Sequence, residues 1–172
     1  MFVLFVPQGF DGVQFRGLVG RIIAKKDTDG HGKSHGKPNF VISSGYQVVW
    51  EKFAQLWQIE MRTVPVTKEH ITLDPKQALE KCDENTICIV PIQGVTWTGL
   101  NDDVEALNNA LDEYNEKTGY EIPIHVDAAS GGFILPFLNP EKRWDFRLKW
   151  VISISTSGRY FLSRHITHPR PG

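Results

Sequence analysis

His125-Val126-Asp127-Ala128-Ala129-Ser130-Gly131-Gly132 is the stretch whose reading decides the fold. It follows Glu121-Ile122-Pro123-Ile124, a short apolar run of the kind that forms a buried strand. An aspartate at the carboxyl end of such a strand stands where open α/β sheets place their ligands. The two alanines and two glycines leave room for a flat ring against the backbone. Taken alone, the stretch also reads as a strand that ends in a polar turn, since Asp and Gly are common turn residues.

The flanking sequence favours the first reading, because strands and helices alternate on both sides. Upstream, Asn39-Phe40-Val41-Ile42-Ser43 predicts a strand. Tyr46 to Trp57 predicts a helix with Val49, Phe53 and Leu56 or Trp57 on one face. Ile59 to Val66 predicts a second strand. Asp74-Pro75-Lys76-Gln77 predicts a helix start, with Asp as cap, Pro in the first turn and Gln at the capping-box position. Thr86 to Ile92 is apolar enough for a strand buried on both faces. Asp102 with Glu105 predicts the opening of another helix, with Val104, Leu107, Leu111 and Tyr114 inward and Gly119 at its end. Downstream, Trp150 to Ser155 predicts one more strand. Such alternation implies βαβ units, a mostly parallel sheet and helices on its faces, an α/β/α sandwich.

Composition narrows the function classes. The 172 residues suffice for one domain with a core, and 41% hydrophobic with 23% charged residues is ordinary for a soluble globular chain. A net charge of −1 gives no footprint for nucleic acid or for a membrane surface. Cys82 and Cys88 fit a reducing, cytoplasmic compartment and lack metal-ligand spacing. Met1 to Val6 is apolar but too short and uncharged for a signal peptide, and no run is long enough to span a bilayer. Met1 to Lys37 carries no clear periodicity. Gly32-Lys33-Ser34 looks like the end of a phosphate-binding P-loop, but the first glycine of that motif would fall at Asp27, so the reading is rejected. His31 and His35 read as residues of a solvated loop rather than a metal site.

Five stretches carry a resemblance to a known family. They are Cys82-Asp83-Glu84-Asn85-Thr86-Ile87, Gly94-Val95-Thr96-Trp97-Thr98-Gly99, His125 to Phe133, Trp144-Asp145-Phe146-Arg147-Leu148 and Ser153-Ile154-Ser155-Thr156-Ser157-Gly158. In this order they resemble pyridoxal-phosphate-dependent glutamate decarboxylase of the bacterial, plant and fungal kind. The resemblance implies part of the large domain of fold-type I pyridoxal-phosphate enzymes, with a mostly parallel seven-stranded sheet. It implies conversion of L-glutamate to 4-aminobutanoate and carbon dioxide, and homo-oligomers in intact members. It also implies cofactor-binding roles. Asp127 matches the carboxylate beside the pyridine nitrogen, where it favours the proton. Ala129 matches a small residue against one face of the ring, and Gln47 a side chain over the other face. Thr96 matches a residue beside the ring substituents, and Ser157 a residue near the phosphate.

The departures from the family are as informative. In the family, His-Lys follows the Ser-Gly at 157–158, and the lysine forms the Schiff base with the cofactor. Arg159-Tyr160 follow here, so tyrosine holds the lysine position and no catalytic residue is assigned. No serine-rich phosphate turn is found in Met1 to Lys37, and Phe161 to Gly172 has no clear pattern. The expected organisation is a poorly defined segment over 1–37, a partial cofactor-binding domain over 38–158 and an unrelated, disordered tail over 159–172. Such a chain reads as a truncated or misassembled product without turnover. Two alternatives stay open: a related decarboxylase of other specificity, and a non-catalytic chain that pairs with intact subunits.

Overall fold

Asn39 to Ser43 and Thr86 to Val90 are buried at every position. A strand buried on both faces needs helices above and below it and neighbours on both edges. The computed structural model, which describes Phe2–Phe5 and residues 37–157, supplies both. Six strands form one sheet: β1 (Phe2–Phe5), β2 (Asn39–Ser43), β3 (Glu60–Val64), β4 (Thr86–Val90), β5 (Ile124–Asp127) and β6 (Val151–Thr156). Their order is β1-β6-β5-β4-β2-β3, and each neighbouring pair is parallel. The helices are α1 (Val49–Trp57), α2 (Pro75–Glu80), α3 (Val104–Thr118) and the single turn α4 (Leu135–Leu138).

Two core clusters divide the helices between the faces. On one face, Trp50 and Phe53 of α1 pack with Phe40, Ile42, Cys88 and Val90. On the other, Ala78 of α2, Leu107 and Leu111 of α3 and Leu135 of α4 pack with Val41, Ile89, Ile124 and Val126. The α/β/α sandwich is therefore as the alternation implies, with a sheet that is wholly parallel among the described residues. From β2 the chain steps outward to β3, whereas β4, β5 and β6 follow one another in the opposite direction. The sheet thus changes winding direction between β2 and β4. In open α/β sheets, ligands bind outside the carboxyl ends of the strands at such a point.

Several boundaries differ from the sequence reading. The helix expected from Tyr46 starts at Val49, and its buried pair is Trp50 and Phe53, while Leu56 is exposed. Asp74 caps α2 as expected, accepting from the Lys76 amide at 2.9 Å. The cap of α3 is Asp103, not Asp102: Asp103 accepts from the Ala106 amide at 3.0 Å. Asp102 is instead buried and accepts from the amides of Leu73 (2.8 Å) and Ile92 (2.7 Å). Gly119 closes α3 in a left-handed conformation, φ 72°. The reading names no strand in Met1 to Lys37, yet Phe2–Phe5 forms β1 and pairs with β6. Gly32-Lys33-Ser34, His31, His35, Arg159, Tyr160 and the tail lie outside the described residues.

At the amino ends of the strands, Asp83 ties three of them together. Its Oδ1 accepts from Asn39 Nδ2 at 2.8 Å and its Oδ2 pairs with Arg62 at 2.8 Å, while Thr86 Oγ1 donates to Asn39 Oδ1 at 2.8 Å. The Cys82 to Ile87 motif is thus a structural clamp at the end of the sheet away from Asp127.

Candidate functional site

Alternation along β5 sends Ile124 and Val126 into the core shared with α2 and α3. His125 and Asp127 point to the other face, where α1 lies: the Trp50 indole meets both. Asp127 is the last residue of β5 and is nearly buried. Its backbone is fixed on the β4 side, donating to Pro91 O at 3.0 Å and accepting from the Gln93 amide at 2.8 Å.

Among the described residues the carboxylate has three donors, all neutral. Trp50 Nε1 donates to Oδ2 at 2.8 Å. The Ala129 amide donates to Oδ1 at 3.2 Å, and Ser155 Oγ approaches the same oxygen at 3.4 Å. Burial pushes the Asp127 carboxyl above its ordinary range, and these three bonds pull it part of the way back. An ionised carboxylate offers about four acceptor positions. Three are used among the described residues, so one remains for a further donor. A cationic N–H suits that position best, because the carboxylate's present partners leave its charge unopposed.

His125 lies behind this group. Its Nδ1 is 2.8 Å from Ser153 Oγ, and its ring meets the Trp50 ring at 5.7 Å and 63°. Burial pushes its pKa down to about 3, so the imidazole is neutral near pH 7.

The turns after β4 and β5 are locked together. Gly131 donates its amide to Gln93 O at 3.0 Å. A Cβ on Gly131 would fall 2.7 Å from that oxygen, and one on Gly94 (φ 82°) would fall 2.9 Å from the Gly131 nitrogen. Only glycine at both positions lets the two backbones approach so closely.

The other sequence-predicted residues lie at the same end of the sheet. Gln47, half-buried in the turn before α1, accepts from the Trp50 amide at 3.0 Å through its carbonyl. Thr96 is exposed in the turn after β4, and Ser157 follows β6, half-buried. Ala129 touches the Asp127 carboxylate directly through its amide. Trp50 and Ser155 belong to the constellation, and the sequence carries no direct signal for their place in it. A tryptophan three residues before Phe53 is a helix-face signal, and Ser155 faces Asp127 only because β5 and β6 pair in the register Asp127 with Ser155.

A model of the pyridoxal-dependent decarboxylase conserved domain matches residues 18–167. The chain belongs to the pyridoxal-dependent decarboxylase family. Within it, the chain is similar to glutamate decarboxylase beta of Listeria monocytogenes, 60% identical over 125 residues, which cover 73% of this chain and 27% of that protein. It is 52% identical over 125 residues to glutamate decarboxylase 5 of Arabidopsis thaliana, covering 25% of that protein. The structure of the Lactobacillus brevis glutamate decarboxylase superposes with a TM-score of 0.77 at 44% identity, over 84% of this chain and 33% of that one. The chain therefore spans about a quarter of the length of the curated relatives that it matches. The fold of the family, a fold-type I α/β sandwich, is the fold found here.

Proposed function

We propose that this chain holds pyridoxal 5′-phosphate at the carboxyl ends of β2, β4, β5 and β6, as part of a glutamate decarboxylase whose substrate is L-glutamate. The observation that carries the reading is the Asp127 carboxylate, buried, held by three neutral donors and left with one acceptor position. When bound, the cofactor supplies the electron sink that decarboxylation of an amino acid requires. Asp127 would hold a proton on the ring nitrogen of the bound group. Ala129, with no side chain beyond Cβ, would let the ring lie close. Gln47 would serve the other face of the ring, Thr96 its substituents and Ser157 its phosphate. Tyr160, at the position of the family's lysine, has no amine for the cofactor aldehyde, so this chain by itself does not turn over. The substrate assignment is supported by the 49–60% identity to glutamate decarboxylases.

Self-association belongs to the same proposal. Trp97, Phe137 and Leu138 are 79%, 84% and 69% exposed, an apolar surface that favours a protein partner of the same kind. A cytoplasmic location is supported by the low cysteine content, Cys82 and Cys88 in 172 residues. No helix among the described residues is long and apolar enough to cross a membrane.

Calorimetric titration with 4′-deoxypyridoxine 5′-phosphate tests the cofactor assignment. This analogue has no aldehyde, so it reads the site and not surface lysines. Saturable binding is expected, weakened roughly tenfold or more in Asp127→Asn, which loses the charge-assisted bond. No binding, or equal binding by both chains, would overturn the reading.

A further inference from the structure

The donors of Asp127 are not equivalent. Ala129 and Ser155 both approach Oδ1, which fills the two acceptor positions of that oxygen. Trp50 takes one position of Oδ2. The remaining position therefore lies on Oδ2, the oxygen that Trp50 holds. The indole itself is wedged. Its ring meets Phe40 at 5.5 Å, Phe53 at 5.9 Å and His125 at 5.7 Å, and Trp50 is 3% exposed. A ring packed on several sides has one place to send its N–H.

We infer that Trp50 is a positioning residue: from the packed face of α1 its Nε1–H, 2.8 Å from Asp127 Oδ2, orients the carboxylate so that the open acceptor position of Oδ2 meets the ring nitrogen of a bound pyridine ligand. The inference rests on the cofactor reading for its ligand, but the hydrogen bond acts on Asp127 with or without one. It favours the ionised carboxylate against burial, which otherwise pushes the proton on. Among the described residues, the groups that face Asp127 from the packed elements are neutral: Trp50 on α1, Ser155 on β6 and the Ala129 amide in the following turn. His125, on the same strand and across the Trp50 ring, is the titratable neighbour, and its burial keeps it uncharged. Removal of the indole N–H therefore moves the Asp127 titration upward, with no other charge among the described residues in contact with it to compensate.

Trp50→Phe keeps a ring among Phe40, Phe53 and His125 and removes the donor. In the full chain labelled with carboxyl-¹³C aspartate, with Asp127→Asn giving the assignment, the Asp127 midpoint is expected to rise in Trp50→Phe. A residue that merely fills the core would leave it in place. A second measurement needs no folded Trp50 variant: in the unmodified chain the ¹⁵N–¹H resonance of the Trp50 indole is expected to follow the Asp127 midpoint. The third readout is affinity for 4′-deoxypyridoxine 5′-phosphate, expected to fall roughly tenfold in Trp50→Phe. An unchanged Asp127 midpoint in folded Trp50→Phe, or an indole resonance indifferent to Asp127, would overturn the inference. If the analogue binds no form of the chain, the cofactor reading falls, and the two titrations still decide whether Trp50 governs Asp127.

Discussion

At the scale of single residues, two buried groups give the site its response to acid, and they act in opposite senses. His125 is neutral in the folded chain because burial holds its pKa at about 3, against about 6.5 when exposed. Between those values the unfolded chain binds a proton that the folded chain does not. Stability from this group is complete above about pH 6.5 and is lost as the pH falls toward 3. The effect amounts to about 2 kcal/mol at pH 5. Urea unfolding at pH 7 and pH 5 is expected to show that loss in the unmodified chain and to show it reduced by about the same amount in His125→Gln. Asp127 runs the other way. Its folded pKa is raised, so its stabilising share is present at low pH and declines as the pH rises through the carboxylate range. The Asp127 position was legible in the sequence, because the apolar run before it and the small residues after it define a strand end. Its partners were not. Trp50 lies 77 positions away and Ser155 lies 28 away, and only the packing of α1 on β5 and the register of β5 with β6 bring them in.

At the scale of elements, the two adjacent aspartates before α3 separate capping from tethering. Asp103 accepts one amide at the helix start, so Asp103→Ala is expected to cost about 1 kcal/mol. Asp102→Ala would leave the buried amides of Leu73 and Ile92 without an acceptor, for an expected loss of about 2–4 kcal/mol. Denaturant midpoints of the two variants give the comparison. The sequence assigns the opening to Asp102 because Glu105 stands three residues after it, the capping-box spacing, although Asp103 precedes the same apolar-periodic run. The choice between them depends on the segment around Leu73, which packs from a distant part of the chain. A second contrast lies in the turns. Gly131→Ala would force a methyl against Gln93 O, and the rigid partner is backbone. A loss of roughly 2–3 kcal/mol is expected, read by the same midpoints. The alternation that predicts these elements is robust because β2 and β4 are buried at every position and need helices on both faces. β1 is not legible in the sequence because a four-residue apolar run, even one followed by Pro7 and Gly9, is compatible with many structures.

At the scale of the whole molecule, the chain spans about a quarter of its curated relatives, and two expectations follow from its own residues. With pyridoxal phosphate added, release of labelled carbon dioxide from carboxyl-labelled glutamate is expected to stay at the free-cofactor background, because the phenol of Tyr160 cannot replace an amine. Release well above that background would refute the assignment of Tyr160 to the lysine position. The second expectation concerns assembly. Sedimentation at tens of micromolar, roughly the range in which exposed apolar surface drives association, is expected to show dimers or larger species. Phe137→Ser with Leu138→Ser, on the exposed face of α4, is expected to shift the distribution toward monomer. A clean monomer for the unmodified chain would count against self-association.

The pairing of β1 with β6 also sets an order of events during synthesis. Phe2 lies beside Ser153 in the finished sheet, yet the ribosome makes the two far apart in time, because they are distant along the chain. At ordinary elongation rates roughly ten to thirty seconds separate the two. During that interval β2, β3 and β4 can pair with one another and β4 then with β5, while among the described strands Phe2–Phe5 pairs with β6 alone. The half of the sheet that pairs locally can form on the nascent chain. The other edge closes late, across a long loop whose closure entropy must be met before any contact rewards it. A holdase that shields Phe2–Phe5 until β6 is made would therefore act on β1 and leave the β2–β4 half to fold unaided.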